Sequence, residues 1–146
     1  MGGGSLTMEL QLALVCDHAK MSDDGKLDVH GVFNDLFAPA FPALQAHMVL
    51  VLAVEWGRRD TGRYRFRVEL LDPEGKPIIS VEGHTDVDSR PADRPPARTR
   101  LMLPLEQVVF PKPGAYRFKI QLKGKWHEGP SLHLMPSETP PVPEEA

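Results

Sequence analysis

His84, Asp86 and Asp88 recur at every second position. On a strand they share one face, and an imidazole with two carboxylates is a donor set for a divalent ion. A metal-dependent hydrolase using His84 and Asp86 would follow from that reading. Asp88, however, runs into a proline-rich stretch, and no fourth ligand stands nearby, so a solvated strand end is the plainer reading of the three. Cys16, Asp17 and His18 set a thiol close to a base, as a nucleophile requires. Cys16 also sits at an apolar position of an alternating run, where free cysteines are inert fillers. Asp23, Asp24 and Asp28 surround a glycine without calcium-loop spacing, and a hairpin turn explains them. No catalytic residue and no cofactor is assigned.

A basic stripe is the remaining chemical candidate: Arg58, Arg59, Arg63, Arg65 and Arg67, with Arg117, Lys119 and Lys123. Stacking of bases would need aromatic residues on the same face. Tyr64, Phe66, Tyr116 and Phe118 alternate with the cations and therefore point the other way. The formal net charge is −3, which gives no global attraction for nucleic acid or an anionic membrane. A solvated sheet face is the plainer reading, and neither nucleic acid nor a membrane is an expected partner.

The elements that carry these residues are strands. Gly62-Arg63-Tyr64-Arg65-Phe66-Arg67-Val68-Glu69-Leu70 is echoed by Gly114-Ala115-Tyr116-Arg117-Phe118-Lys119-Ile120-Gln121-Leu122. Each phrase is a turn glycine followed by strict alternation, the signature of a half-buried strand. The echo extends upstream, where Leu50 to Glu55 matches Leu101 to Glu106, and downstream, where Ile79-Ser80-Val81 aligns with Leu132-His133-Leu134. Two three-stranded meanders are predicted. Gly62, Tyr64, Phe66, Gly114, Tyr116 and Phe118 are structural, and each tyrosine is placed like the corner tyrosine of a Greek-key sandwich. Glu9 to Asp17 and Leu27 to Phe33, joined at Asp24-Gly25, form an N-terminal hairpin. Pro104 inside its strand marks an edge or a bulge.

An all-β antiparallel sandwich of about eight strands follows, with a small barrel as the alternative. With 146 residues, 15 prolines and 12 glycines, one turn-rich domain is expected. Residues 1–7 read as a flexible leader, 8–135 as the domain, and 136–146 as a disordered Pro/Glu-rich tail. Asp86 to Ala97 reads as a mobile surface loop. The single cysteine excludes an intrachain disulfide, and no apolar run approaches a membrane span, so a cytoplasmic protein is expected.

One connector is unusually apolar: Leu36, Phe37, Pro39, Phe41 and Pro42 interrupt the period of two. They read either as a lid over one end of the sandwich or as an interaction patch for a protein partner or a second copy. A small-molecule or carbohydrate site using Trp56, Trp126 or His127 is the alternative function.

Taken in order, Leu10-Gln11-Leu12-Ala13-Leu14-Val15-Cys16-Asp17, Asp24-Gly25-Lys26-Leu27-Asp28, Gly31-Val32-Phe33, Phe37-Ala38-Pro39-Ala40-Phe41-Pro42 and Phe110-Pro111-Lys112-Pro113-Gly114-Ala115-Tyr116-Arg117-Phe118 are similar to a bacterial family known only as a domain of unknown function. The resemblance spans Met8 to Met135. It implies a small bacterial β-rich protein and brings no activity, cofactor or substrate.

Overall fold

The computed structural model describes residues 7–137. Nine strands form among them: β1 (Glu9–Met21), β2 (Leu27–Val32), β3 (Asp35–Ala38), β4 (Ala43–Glu55), β5 (Gly62–Leu71), β6 (Pro77–Val87), β7 (Arg98–Phe110), β8 (Gly114–Leu122) and β9 (Lys125–Pro136). They make two sheets, ordered β2-β1-β4-β7 and β3-β9-β8-β5-β6. The sandwich expected from the sequence is what forms. The additional strand is β3, which lies in the apolar connector and pairs in parallel with β9. The expected leader lies outside the described residues but for Thr7. Of the expected tail, Pro136 closes β9 and Ser137 donates to the Ala38 carbonyl, while residues 138–146 lie outside.

The repeated units are not meanders. The first strand of each, β4 or β7, belongs to one sheet, and the hairpin that follows, β5–β6 or β8–β9, belongs to the other. The register shows how they meet. Val51 lies opposite Met102, and Val68 lies opposite Ile120. Both pairs are equivalent positions of the two sequence phrases, so in each sheet the units face one another across an approximate two-fold axis. The downstream alignment shifts: Gly62 pairs with Val87 and Gly114 with Leu134, so Leu134 corresponds to Val87 and not to Val81. The β5–β6 turn is the longer one, which displaces the sequence match from the structural one.

The alternation buries Phe66, Val68 and Leu70 of β5 with Tyr116, Phe118, Ile120 and Leu122 of β8. They meet Met48, Leu50, Leu52 and Val54 of β4 in one core. Each large side chain buried there contributes roughly 1.5–3 kcal/mol. Both phenylalanines of the doubled phrase lie against a glycine of the neighbouring strand. A Cβ on Gly83 would come within 2.7 Å of the Phe66 ring, and one on Gly129 within 2.6 Å of Ile120 Cδ1 and 2.9 Å of Phe118 Cβ. Bare backbone at Gly83 leaves room for the Phe66 ring that covers it, and at Gly129 for the Ile120 side chain.

The tyrosines act as corner residues. Tyr116 Oη donates to the Lys112 carbonyl at 2.7 Å and accepts from its amide at 3.2 Å, while its ring packs edge-on against Phe110. Tyr64 Oη accepts from the Thr61 amide at 3.1 Å, and its ring stacks on buried Trp56. Opposite turns complete the arrangement. Lys123 pairs with Asp60 at 2.6 Å, and Lys112 pairs with Glu74. Asp60 and Lys112 occupy equivalent positions, so the two ends use the same bridge with its charges exchanged.

A smaller second core lies outside the four-stranded sheet. The β1–β4 ladder stops at Cys16, and the rest of the N-terminal hairpin packs Leu27 and Val29 against Cys16, Val49 and Val51. Arg100 of β7 donates to the Gly25 carbonyl at the hairpin tip, at 3.0 Å. The loop after β6 is held as well: Arg58 donates to the Arg94 carbonyl at 2.6 Å, and the Trp56 amide to Ala97. It is a surface loop tied at its centre and its end.

Three substitutions test these contacts in thermal or denaturant unfolding. Gly83→Val forces a branched side chain into the Phe66 ring and is expected to cost about 1–3 kcal/mol. Tyr116→Phe is expected to cost about 1–3 kcal/mol by leaving Lys112 without its partner, and Tyr64→Phe, at an exposed bond, about 0.5 kcal/mol or less.

Candidate functional site

The apolar connector is divided by the fold. Leu36 and Phe41 turn inward onto the main core, which closes that end of the sandwich. Phe37 points outward and is 65% exposed, and Pro39 and Pro42 are exposed beside it. The lid and the patch are thus alternate residues of one segment. β3 holds the segment in place: Leu36 and Phe37 lie opposite Leu134 and Met135, and His133 donates to the Asn34 carbonyl. The Asn34 side chain adds a bond to the Ser131 carbonyl at 2.9 Å. The Phe41–Pro42 peptide is cis.

The patch reaches beyond the connector. Leu44 and Val109 are opposed across the β4–β7 ladder and are 59% and 51% exposed. Phe37 and Leu44 line one shallow hollow with Ala38, Ala43 and Gln45. Three large apolar side chains therefore share this end of the molecule. Leu44 and Val109 were not predicted. In β7, Gln107 takes a positive φ of 55°, and the alternation changes there: Leu101, Leu103 and Leu105 face the core before it, Val108 and Phe110 after it. That change turns Val109 outward, and nothing in a period-two reading signals it.

The metal candidates are separated by their partners. Asp86 is held by Arg63 at 3.1 Å, His84 stands opposite Arg65, and Asp88 lines a small hollow with Arg58 and Arg90. Among the described residues no three His, Cys, Asp or Glu side chains are grouped to hold a metal ion. The outer face of the five-stranded sheet balances its cations. Arg65 and Arg67 both reach Glu82, Arg67 also reaches Glu69 at 3.0 Å, and Arg117 and Lys119 reach Glu128.

The three residues offered as alternatives for ligand binding lie in different surroundings. Trp56 is buried and donates from Nε1 to Thr99 Oγ1 at 2.8 Å. Trp126 is exposed, and neighbouring His127 lies on the opposite face of β9, beside Ile120 of the core. His127 Nε2 is buried without a hydrogen-bond partner among the described residues, and burial, with the charge of Lys125, holds its imidazole below the ordinary value. The fold also assembles a cluster that the sequence does not announce. His18 and His47 have ring centroids 5.9 Å apart, and His47 Nδ1 lies 2.6 Å from Glu106 Oε2. Their positions are remote in the chain, and only the β1–β4–β7 order brings them together.

Cys16 is fully buried. Its thiol donates to the His18 carbonyl at 3.3 Å, and burial, reinforced by the Asp17 carboxylate, pushes its pKa up. A nucleophile needs the opposite shift. These features define a two-sheet all-β protein whose most exposed apolar surface lies at one end. The chain belongs to a family of unknown function, DUF6941, whose model matches residues 11–135. No curated protein matches the sequence.

The titrations have opposite signs. Cys16 favours its neutral form in the fold, so its contribution is present below the ordinary thiol range, about 8.5, and is lost as pH rises through the raised value. His127 also favours its neutral form, so its contribution is present above about 6.5 and is lost as pH falls through the lowered value. Unfolding across pH is expected to show Cys16→Ala flattening the alkaline limb and His127→Gln the acid one. A thiol-reactive disulfide reagent is expected to modify Cys16 only after unfolding.

Proposed function

We propose that this is a non-enzymatic protein, cytoplasmic and bacterial, that works by binding another protein through the Phe37–Leu44–Val109 end. The observation that carries the reading is the joint exposure of those three side chains beside a rigidly held edge. Isolated exposed apolar residues are ordinary, but a contiguous group on a fixed scaffold marks an interaction surface. The occupant is a protein presenting an aliphatic or aromatic surface, because the hollow between Phe37 and Leu44 is lined by Leu36, Ala38, Ala43, Phe110 and Leu134. The buried Cys16 and the Arg63-bound Asp86 weigh against hydrolysis, since each is committed to a structural contact.

The test is a paired substitution. Phe37→Ser with Leu44→Ser is expected to leave the unfolding temperature within a few degrees, because both side chains are exposed. It is expected to abolish co-purification of a stoichiometric partner from the native host. A partner retained at wild-type level by the double variant would overturn the assignment of this surface.

A further inference from the structure

Among the described residues the four sheet edges are not equally protected. β2 has six residues and contains Gly31 at φ 71°, and β3 has four. β7 carries Pro104 in its middle and the positive φ of Gln107 three residues later. Each is short or broken, as natural edges are when they must not pair. β6 is different. It has 11 residues, its only proline is the first, and its ladder with β5 runs unshifted from Gly62–Val87 to Leu70–Ile79. Its inward residues Ile79 and Val81 are only partly buried, as are Leu101 and Leu103 of β7. A long regular edge beside a half-covered apolar seam is a template for another strand.

The side chains of β6 select the occupant. On its exposed face stand Ser80, Glu82, His84 and Asp86. Antiparallel pairing with a second β6 centred on Glu82 would set that carboxylate against itself. Centring on His84 would set Glu82 against Asp86. Centring on Gly83 sets Glu82 against His84, Ser80 against Asp86, Val81 against Thr85 and Ile79 against Val87. This register avoids like charges, which directly opposite each other are destabilising, and it uses the strand from Ile79 to Val87. We propose that β6 pairs with β6 of a second copy about Gly83, joining two five-stranded sheets into one of ten strands. The proposal specifies a self-interface distinct from the Phe37 surface, and deepens the reading that the protein works through protein contacts.

Sedimentation or light scattering across concentration tests it with four variants of β6. The wild-type protein is expected to be a dimer. His84→Glu places two carboxylate pairs in opposition and is expected to weaken the dimer about tenfold, and exchanging the residues, His84→Glu with Glu82→His, is expected to restore it. Ser80→Cys with Asp86→Cys is expected to form a covalent dimer on oxidation, because those positions face each other across the axis, whereas Ser80→Cys alone is not. A folded protein that stays monomeric at all concentrations would overturn the proposal. So would a dimer that ignores His84→Glu, resists cross-linking and dissociates with Phe37→Ser and Leu44→Ser; that result would leave the Phe37 surface standing. Retained β6 dimerisation with no partner lost from the Phe37 variant would do the reverse.

Discussion

The pairing of Val68 with Ile120, in the middle of the five-stranded sheet, is the contact on which the architecture rests. Both are core residues, and they are the fifth-strand and eighth-strand versions of one sequence position. Setting them opposite each other fixes the register of the sheet, because a slip of one residue would turn every buried side chain of a strand outward. With β5 and β8 locked, the preceding strands must leave in corresponding directions, and Val51 meets Met102 in the second sheet. The same constraint brings the β8–β9 turn to Asp60 and the β5–β6 turn to Lys112. Four charged residues thereby form two bridges with exchanged signs. Such exposed pairs contribute little stability each, though the Lys123–Asp60 bridge is more enclosed, with only 10% of the Asp60 side chain accessible.

The two-fold arrangement is incomplete at its margins, and the surfaces of interest lie where it fails. Among the described residues, β1 and β2 add to β4 with nothing equivalent on β7, and β3 adds to β9 with nothing equivalent on β6. The added segments bring the buried thiol, the His18–His47 contact and the apolar connector. The uncovered sides are the edges of β7 and β6. One is broken by Pro104 and Gln107, and the other is regular. Unequal protection of two otherwise comparable edges is a difference that the repeated core does not require, which is why it bears on association.

Much of this was legible in the residues. Strict alternation in the two phrases identified β5 and β8, their glycines identified the entrances, and Asp24-Gly25 identified the first hairpin. Pro104 correctly signalled an edge. The meanders failed because periodicity states which face a residue takes but not which strand lies beside it. β4 and β5 read as neighbours in sequence, yet the chain crosses between sheets at Gly57 to Thr61. The displaced downstream alignment has a similar origin, since Leu132 and Ile79 look alike as strand aliphatics while the turn lengths set different registers.

The site was legible in part for the same reason. The connector stood out because two prolines and three large apolar residues broke the period, but its division into an inward and an outward set depends on β3 pairing with β9, a contact between segments remote in the chain. Trp56 shows the reverse error. A tryptophan beside a turn is a reasonable ligand platform, yet its indole is spent on Thr99 and its face on Tyr64. Aromatic residues next to corner tyrosines serve the corner first. In this fold the three apolar side chains that gather at one end are placed where regular alternation ends: Phe37 after the crossing from β2, Leu44 at the start of β4, and Val109 beyond the turn of backbone at Gln107.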